Sequence, residues 1–97
     1  MSELTVIAKA VAQPGKGDEL ERELRACVAP TRDESGNLQF ELHRSVERPE
    51  EVVAIERWAS KEDHERHFET EHVRSLIERT QPIMAEPPEV QVYAPLS

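Results

Sequence analysis

The stretch LQFELHRSVERPEEVVAIERW, residues 38–58, decides the fold because it predicts two strands joined by a short loop. Residues 38–46 alternate between apolar and polar side chains, which is typical of a strand with one buried face. Residues 47–50 include a proline and predict the hairpin loop, and residues 52–58 predict the partner strand. On the first strand, three apolar side chains are expected to share the buried face: Leu38, Phe40 and Leu42.

The partner strand places a carboxylate among apolar neighbours. Glu56 shares a strand face with Ala54 and Trp58, so at least half of its side chain is expected to be buried. A buried carboxylate must be paired or hydrogen-bonded. Two roles remain open for Glu56: a structural contact to a histidine or a backbone N–H, or the orientation of a catalytic histidine. Trp58 is expected in the core, unless its indole N–H faces a pocket.

The segments on either side of this hairpin complete a β-α-β-β-α-β order. Before the hairpin lie a strand at 4–13 and a helix at 18–29 that Pro30 ends. After it, a helix runs from Ser60 to about 69, loosens over 69–72 and continues with further helical turns at 73–77. A strand at 89–94 follows. This order predicts one α+β domain spanning residues 1–97. We expect a ferredoxin-like, four-stranded antiparallel sheet with both helices on one face.

Such a sheet leaves its second face without a covering layer. The first strand carries apolar side chains on that face, among them Ile7 and Val11. An exposed apolar sheet face is typical of an interface. We therefore expect a homodimer in which two copies pack sheet to sheet.

Composition and charge exclude several classes of function. The formal net charge is −8, and no basic stripe is present to neutralise phosphates, so no nucleic-acid partner is expected. No apolar run approaches the roughly 20 residues needed to cross a bilayer, so no membrane partner is expected either. The first residues lack the pattern of a secretory leader, which makes the cytoplasm the expected location. Cys27 is the only cysteine and is interpreted as a small core residue.

Three of the four histidines, His64, His67 and His72, fall within nine residues. On a regular helix His64 and His67 lie about 60° apart, but His67 and His72 lie about 140° apart, which is poor geometry for three ligands on one ion. No metal site is therefore expected. We interpret His64 as an exposed helix residue. His67 is expected to be either a hydrogen-bonded core residue or a group that acts on substrate as a base or hydrogen-bond partner. His43 is expected to face solvent or a dimer interface.

The order of several short motifs resembles the antibiotic biosynthesis monooxygenase domain family, which includes small quinol monooxygenases. The likeness covers nearly the whole chain. The matching motifs are Pro14–Leu20 after the first strand, Ser35–Leu42 opening the second, Glu56-x-Trp58-x-Ser60-x-Glu62, then His67, and Glu71-His72.

The resemblance implies a dimeric α/β barrel and, for some members, oxygenation of a small quinol or hydroxyaromatic compound by molecular oxygen without metal or flavin. By matching position it implies His67, His72 and Glu56 as catalytic residues. It also implies three residues that bind substrate: Trp58, Phe68 and Phe40. Molecular oxygen would be a co-substrate, and no cofactor would be needed. Two alternatives stay open, an isomerase of a small hydroxyketone on the same fold and a non-catalytic small-molecule binding or stress protein.

Overall fold

The helices and strands follow the predicted order in a computed structural model that describes residues 3–97. Met1 and Ser2, the start of the segment considered above for a leader, lie outside the described residues. The elements are β1 (Leu4–Val11), α1 (Gly17–Arg25), α2 (Val28–Arg32), β2 (Asn37–Arg44), β3 (Glu51–Trp58), α3 (Lys61–His67), α4 (Glu71–Thr80), a 3-10 turn (Gln81–Ile83) and β4 (Glu89–Tyr93).

The four strands form one antiparallel sheet in the order β2-β3-β1-β4. β1 lies inside the sheet, with Val6 opposite Glu56 of β3 on one side and opposite Val92 of β4 on the other. The helices pack on the face that carries Glu56 and Trp58. The α+β, ferredoxin-like prediction is confirmed, and it puts the inner face of β3 at the centre of the molecule.

One detail of the predicted hairpin was wrong, because β2 contains a bulge at Leu38. Asn37 opposes Trp58 and Gln39 opposes Arg57, so the residue between them has no partner on β3. Leu38 is 48% exposed instead of buried. An extra residue in one strand moves the neighbouring side chains by one position.

The first helical region is divided into two helices, and the prediction that Pro30 ends it was wrong. α1 stops at Arg25, and Pro30 is the third residue of α2. A proline in the first turn of a helix costs little because the backbone N–H it lacks has no partner there in any case. Cys27, between the two helices, is 5% exposed, which confirms its interpretation as a core residue.

The second helical region breaks as predicted, but between His67 and Glu71 instead of over residues 69–72. The Ser60 hydroxyl accepts a hydrogen bond from the Asp63 backbone N–H, at 3.1 Å, and so caps α3. α3 ends at His67, and the Thr70 hydroxyl then accepts from the Val73 N–H to cap α4. The break gives α3 a single buried face, which carries His64 and His67.

The other sheet face carries Ile7, which is 37% exposed. Val11 shares this face with Ile7, as expected, but it is 5% exposed, so the expectation that the face is bare is wrong at Val11. None of the helices described between residues 3 and 97 is long and apolar enough to cross a membrane.

Candidate active site

An apolar cavity of about 190 Å³ lies between the helices and the sheet. It is slightly larger than the engineered cavities of about 150 Å³ that hold benzene, so its size suits a small ring compound. All four strands and the helices α1, α3 and α4 contribute to the wall. The apolar side chains of that wall include Ala8, Ala10, Leu20, Leu24, Phe40, Leu42, Val52, Ala54, Phe68, Val73, Leu76, Ile77 and Val90.

Exposed apolar residues mark the mouth of this cavity. Phe68, Ile77 and Val90 belong to its wall and are 43%, 51% and 42% exposed. Phe68 directly follows α3, and Ile77 and Val90 lie on α4 and β4, so the cavity opens where the helices leave β4 uncovered. A ligand that enters here crosses an apolar rim.

Three ionisable side chains of the mostly apolar wall lie together: Glu56, His64 and His67. The other polar residues of the wall are Lys9 and Thr80. The indole of Trp58 joins Glu56 and the two histidines. Its Nε1–H donates to Glu56 Oε1 at 2.8 Å, and its ring centroid lies 5.8 Å from that of His64 and 5.0 Å from that of His67. Because all three contact one indole, they make one polar region at the end of an apolar cavity, as expected of a small-molecule site.

The Glu56 carboxyl is 4% exposed, and this burial raises its pKa from 4.5 to about 7. The hydrogen bond from Trp58 opposes the rise, and the negative charge of Glu34 adds to it. Near neutral pH a large share of Glu56 is therefore protonated and can donate a hydrogen bond into the cavity. The hydrogen-bond partner of Glu56 in the structure is the Trp58 indole. From the sequence, a histidine or a backbone N–H was expected in this role.

His67 is held by a carboxylate that sequence analysis missed. Its Nδ1 lies 2.7 Å from Glu34 Oε2, and Nε2 of His72 lies 2.7 Å from the same oxygen. A hydrogen bond from Nδ1–H to Glu34 leaves Nε2 of a neutral His67 without a proton. His67 belongs to the cavity wall and Glu34 does not, so Nε2 is the ring nitrogen left free to meet a ligand in the cavity.

Burial lowers the pKa of His67, and the hydrogen bond that His67 donates to Glu34 only partly opposes this. A lowered pKa keeps the imidazole neutral near pH 7, which is the form that can accept a proton. The tight turn that follows Glu34 supports this placement, since Gly36 has a φ of +87° and a Cβ there would overlap the Asp63 carboxylate. The only sequence signal for Glu34 was its position directly before Ser35-Gly36.

The interpretation of His64 as an exposed residue was wrong. His64 is 7% exposed and lies on the cavity wall. Its Nε2 is buried and has no hydrogen-bond partner among residues 3–97. Burial lowers the pKa of this imidazole too, and the nearby His67 lowers it further. A buried polar atom without a partner costs stability, so a bound molecule that hydrogen-bonds to it gains affinity.

The other predicted site residues lie in different places. Phe40 and Phe68 are on the cavity wall, but Trp58 is 0% exposed and lies behind Glu56. His72 is absent from this wall; it borders a separate, charged cleft of about 660 Å³ along α1 and α4. His43 is exposed, with Nε2 at 3.8 Å from Glu41.

Comparison with known proteins gives a consistent set of relatives. The family model described as antibiotic biosynthesis monooxygenase matches residues 4–79. The structure of PA3566 from Pseudomonas aeruginosa superposes with a TM-score of 0.93, at 35% identity, covering 100% of this chain and 97% of that one. Rv0793 from Mycobacterium tuberculosis gives a TM-score of 0.91 at 29% identity, covering 99% and 97%.

Curated sequences give weaker matches. YcnE from Bacillus subtilis (strain 168) is 27% identical over 78 residues, covering 80% of this chain and 82% of the relative. The chain spans only 61% of the length of a second relative, sll1783 from Synechocystis.

Proposed function

The chain belongs to the antibiotic biosynthesis monooxygenase family, and from this premise we propose that it oxidises a small quinol or hydroxyaromatic compound with molecular oxygen and without a cofactor. The observation that carries the proposal is His67, a buried imidazole that Glu34 holds at 2.7 Å on the wall of an apolar cavity. A neutral histidine in this position suits the removal of a proton from a phenolic hydroxyl.

The proposed reaction begins when Nε2 of His67 takes the hydroxyl proton. The resulting anion is electron-rich enough to pass an electron to molecular oxygen. The two recombine into a ring hydroperoxide. Loss of the proton on that ring carbon and cleavage of the O–O bond then release one oxygen atom as water and leave the other as a ring carbonyl. The product is a hydroxyquinone, and the substrate supplies all four electrons and both protons of the water. Protonated Glu56 donates a hydrogen bond to the charged oxygen, and the apolar wall keeps water away from it.

Oxygen consumption with a panel of dihydroxynaphthalenes tests this proposal. We expect turnover in the unmodified protein and a loss of about 10²- to 10⁴-fold in kcat/KM for His67→Ala, since a positioned base contributes about that much. His43→Ala is the matched control, because this histidine is exposed and distant from the cavity. Turnover that persists in His67→Ala, or no turnover of any panel member, contradicts the proposal.

A second candidate is an isomerase of a small hydroxyketone. One observation favours it: His67 and Glu56, whose pKa is raised to about 7, lie on the same cavity wall. A base and an acid in this arrangement can move a proton from one carbon of a substrate to its neighbour. An isomerase needs no oxygen. Activity that continues under nitrogen therefore supports this candidate against the monooxygenase.

A further inference from the structure

We propose that Glu34, His67 and His72 form a binding site for a divalent transition-metal ion of the zinc class, and that an ion bound there stops His67 from acting as a base. The first part concerns binding alone. The second part rests on the function proposed above.

The three side chains come from separate elements and meet at one point. Glu34 precedes β2, His67 ends α3 and His72 lies in the first turn of α4. Their ligand atoms all lie within 4.8 Å of one another. Two imidazoles and one carboxylate form a ligand set that first-row transition ions accept, with further coordination positions left for water.

The present distances are close to those of a metal site. Four-coordinate zinc holds nitrogen and oxygen ligands at about 2.0–2.2 Å, which places neighbouring ligand atoms about 3.3 Å apart. Here Glu34 Oε2 lies 2.7 Å from Nδ1 of His67 and 2.7 Å from Nε2 of His72. Both Glu34 contacts would lengthen by about 0.6 Å on binding, and the two imidazole nitrogens already lie within 4.8 Å of each other.

Charge and access also favour a cation. The site brings together a carboxyl group and two imidazoles, in a chain with a net charge of −8. The His72 side chain is 23% exposed, whereas those of Glu34 and His67 are 11% and 9% exposed. An ion can therefore arrive from the His72 side without passing through the apolar cavity.

The position of the proton on His67 links metal binding to activity. Without an ion, Nδ1–H donates to Glu34 and Nε2 is free to accept a proton from substrate. A metal ion at Nδ1 uses that nitrogen's lone pair, so a neutral ring must carry its proton on Nε2. Nε2 then has no lone pair to offer a ligand in the cavity, and the ion acts as an inhibitor.

Binding is tested by calorimetric titration with Zn²⁺ and by the visible spectrum of added Co²⁺. We expect one ion per chain in the unmodified protein and in His43→Ala, and an affinity about 10- to 100-fold weaker in His72→Ala. Glu34→Gln, which preserves side-chain shape, should weaken binding similarly and serves if His72→Ala does not fold. No binding by the unmodified protein, or equal affinity in all variants that fold, overturns the site.

Inhibition is tested by adding Zn²⁺ to the quinol oxidation assay, with each variant compared to its own metal-free rate. We expect Zn²⁺ to inhibit the unmodified protein, EDTA to restore its rate, and His72→Ala to need more Zn²⁺. Binding without inhibition overturns the second part of the proposal. Binding in a protein that oxidises no quinol refutes the proposed function and leaves the metal site standing.

Discussion

Glu56 is a buried acid whose ionisation works against folding. It is 4% exposed, its main contact is one hydrogen bond from Trp58, and its pKa in the folded chain is raised from 4.5 to about 7. Because the folded state holds this proton more tightly than the unfolded state, Glu56 costs nothing extra below pH 4.5. As the pH rises from 4.5 to about 7, the unfolded state loses its proton first and the folded state becomes relatively less stable.

Glu56→Gln should therefore gain stability relative to the unmodified protein as the pH rises. We compare the unfolding free energy of the variant with that of the unmodified protein. As the pH rises from 4.5 to above 7, this difference should shift by about 3 kcal/mol in favour of the variant. Urea unfolding at several pH values measures it. Glu47→Gln, at an exposed glutamate in the loop between β2 and β3, is the control and should follow the unmodified protein. A pH-independent difference for Glu56→Gln would contradict the assigned pKa.

At the residue scale, sequence could predict burial but not the partners of buried groups. Strand alternation placed Glu56 and Trp58 on the inner face correctly, since the side-chain period of a strand is two residues. Glu34 could not be predicted as the partner of His67, because 33 residues separate them and only the fold brings them to 2.7 Å. His64 was misplaced because a polar helix residue is usually exposed, and the unfilled cavity beside it is not visible in sequence.

At the element scale, the short length of α3 positions the site. Its local signals, the Ser60 cap and the break before Glu71, were predictable because capping depends on neighbours a few residues away. The break between α1 and α2 was not predicted, since a proline was taken to end a helix that it in fact helps to begin. A helix of five residues is too short to show a repeating apolar pattern in the sequence, and its stability comes from tertiary packing.

Ser60→Ala should loosen α3 and, with it, the two histidines of the cavity. The Ser60 hydroxyl accepts from the Asp63 N–H and also donates to the Asp63 carboxylate at 2.9 Å. Loss of such a cap costs about 1 kcal/mol of unfolding free energy. Chemical denaturation measures the loss, and Ser60→Thr, which retains the hydroxyl, should recover most of it. Equal stability of the alanine and threonine variants would show that the cap does not hold α3.

At the scale of the whole molecule, the helix-free face of the sheet has the features of an interface between copies. Ile7 and Ile55 lie opposite each other on the central strands β1 and β3. The two cations on this face already have partners within the chain, Lys9 with Glu89 at 3.6 Å and Arg57 with Glu3 at 2.8 Å. Glu41 also lies on this face, opposite Ile55, with His43 Nε2 at 3.8 Å, so a second copy should cover the apolar centre and leave Glu41 at the rim of the contact.

We predict that the protein is a dimer in solution and that Ile7→Lys converts it to a monomer. The unmodified chain should scatter light as a particle of twice its 11.1 kDa mass. A lysine at Ile7 would bury an unpaired charge in the apolar contact, which disfavours the association of two copies. Because Ile7 is 37% exposed in the single chain, the fold itself should tolerate the change. Val46→Lys, in the loop between β2 and β3 and 99% exposed, is the control and should remain dimeric. A monomeric unmodified protein at micromolar concentration, or an Ile7→Lys variant that stays dimeric, would show that this face is not the interface.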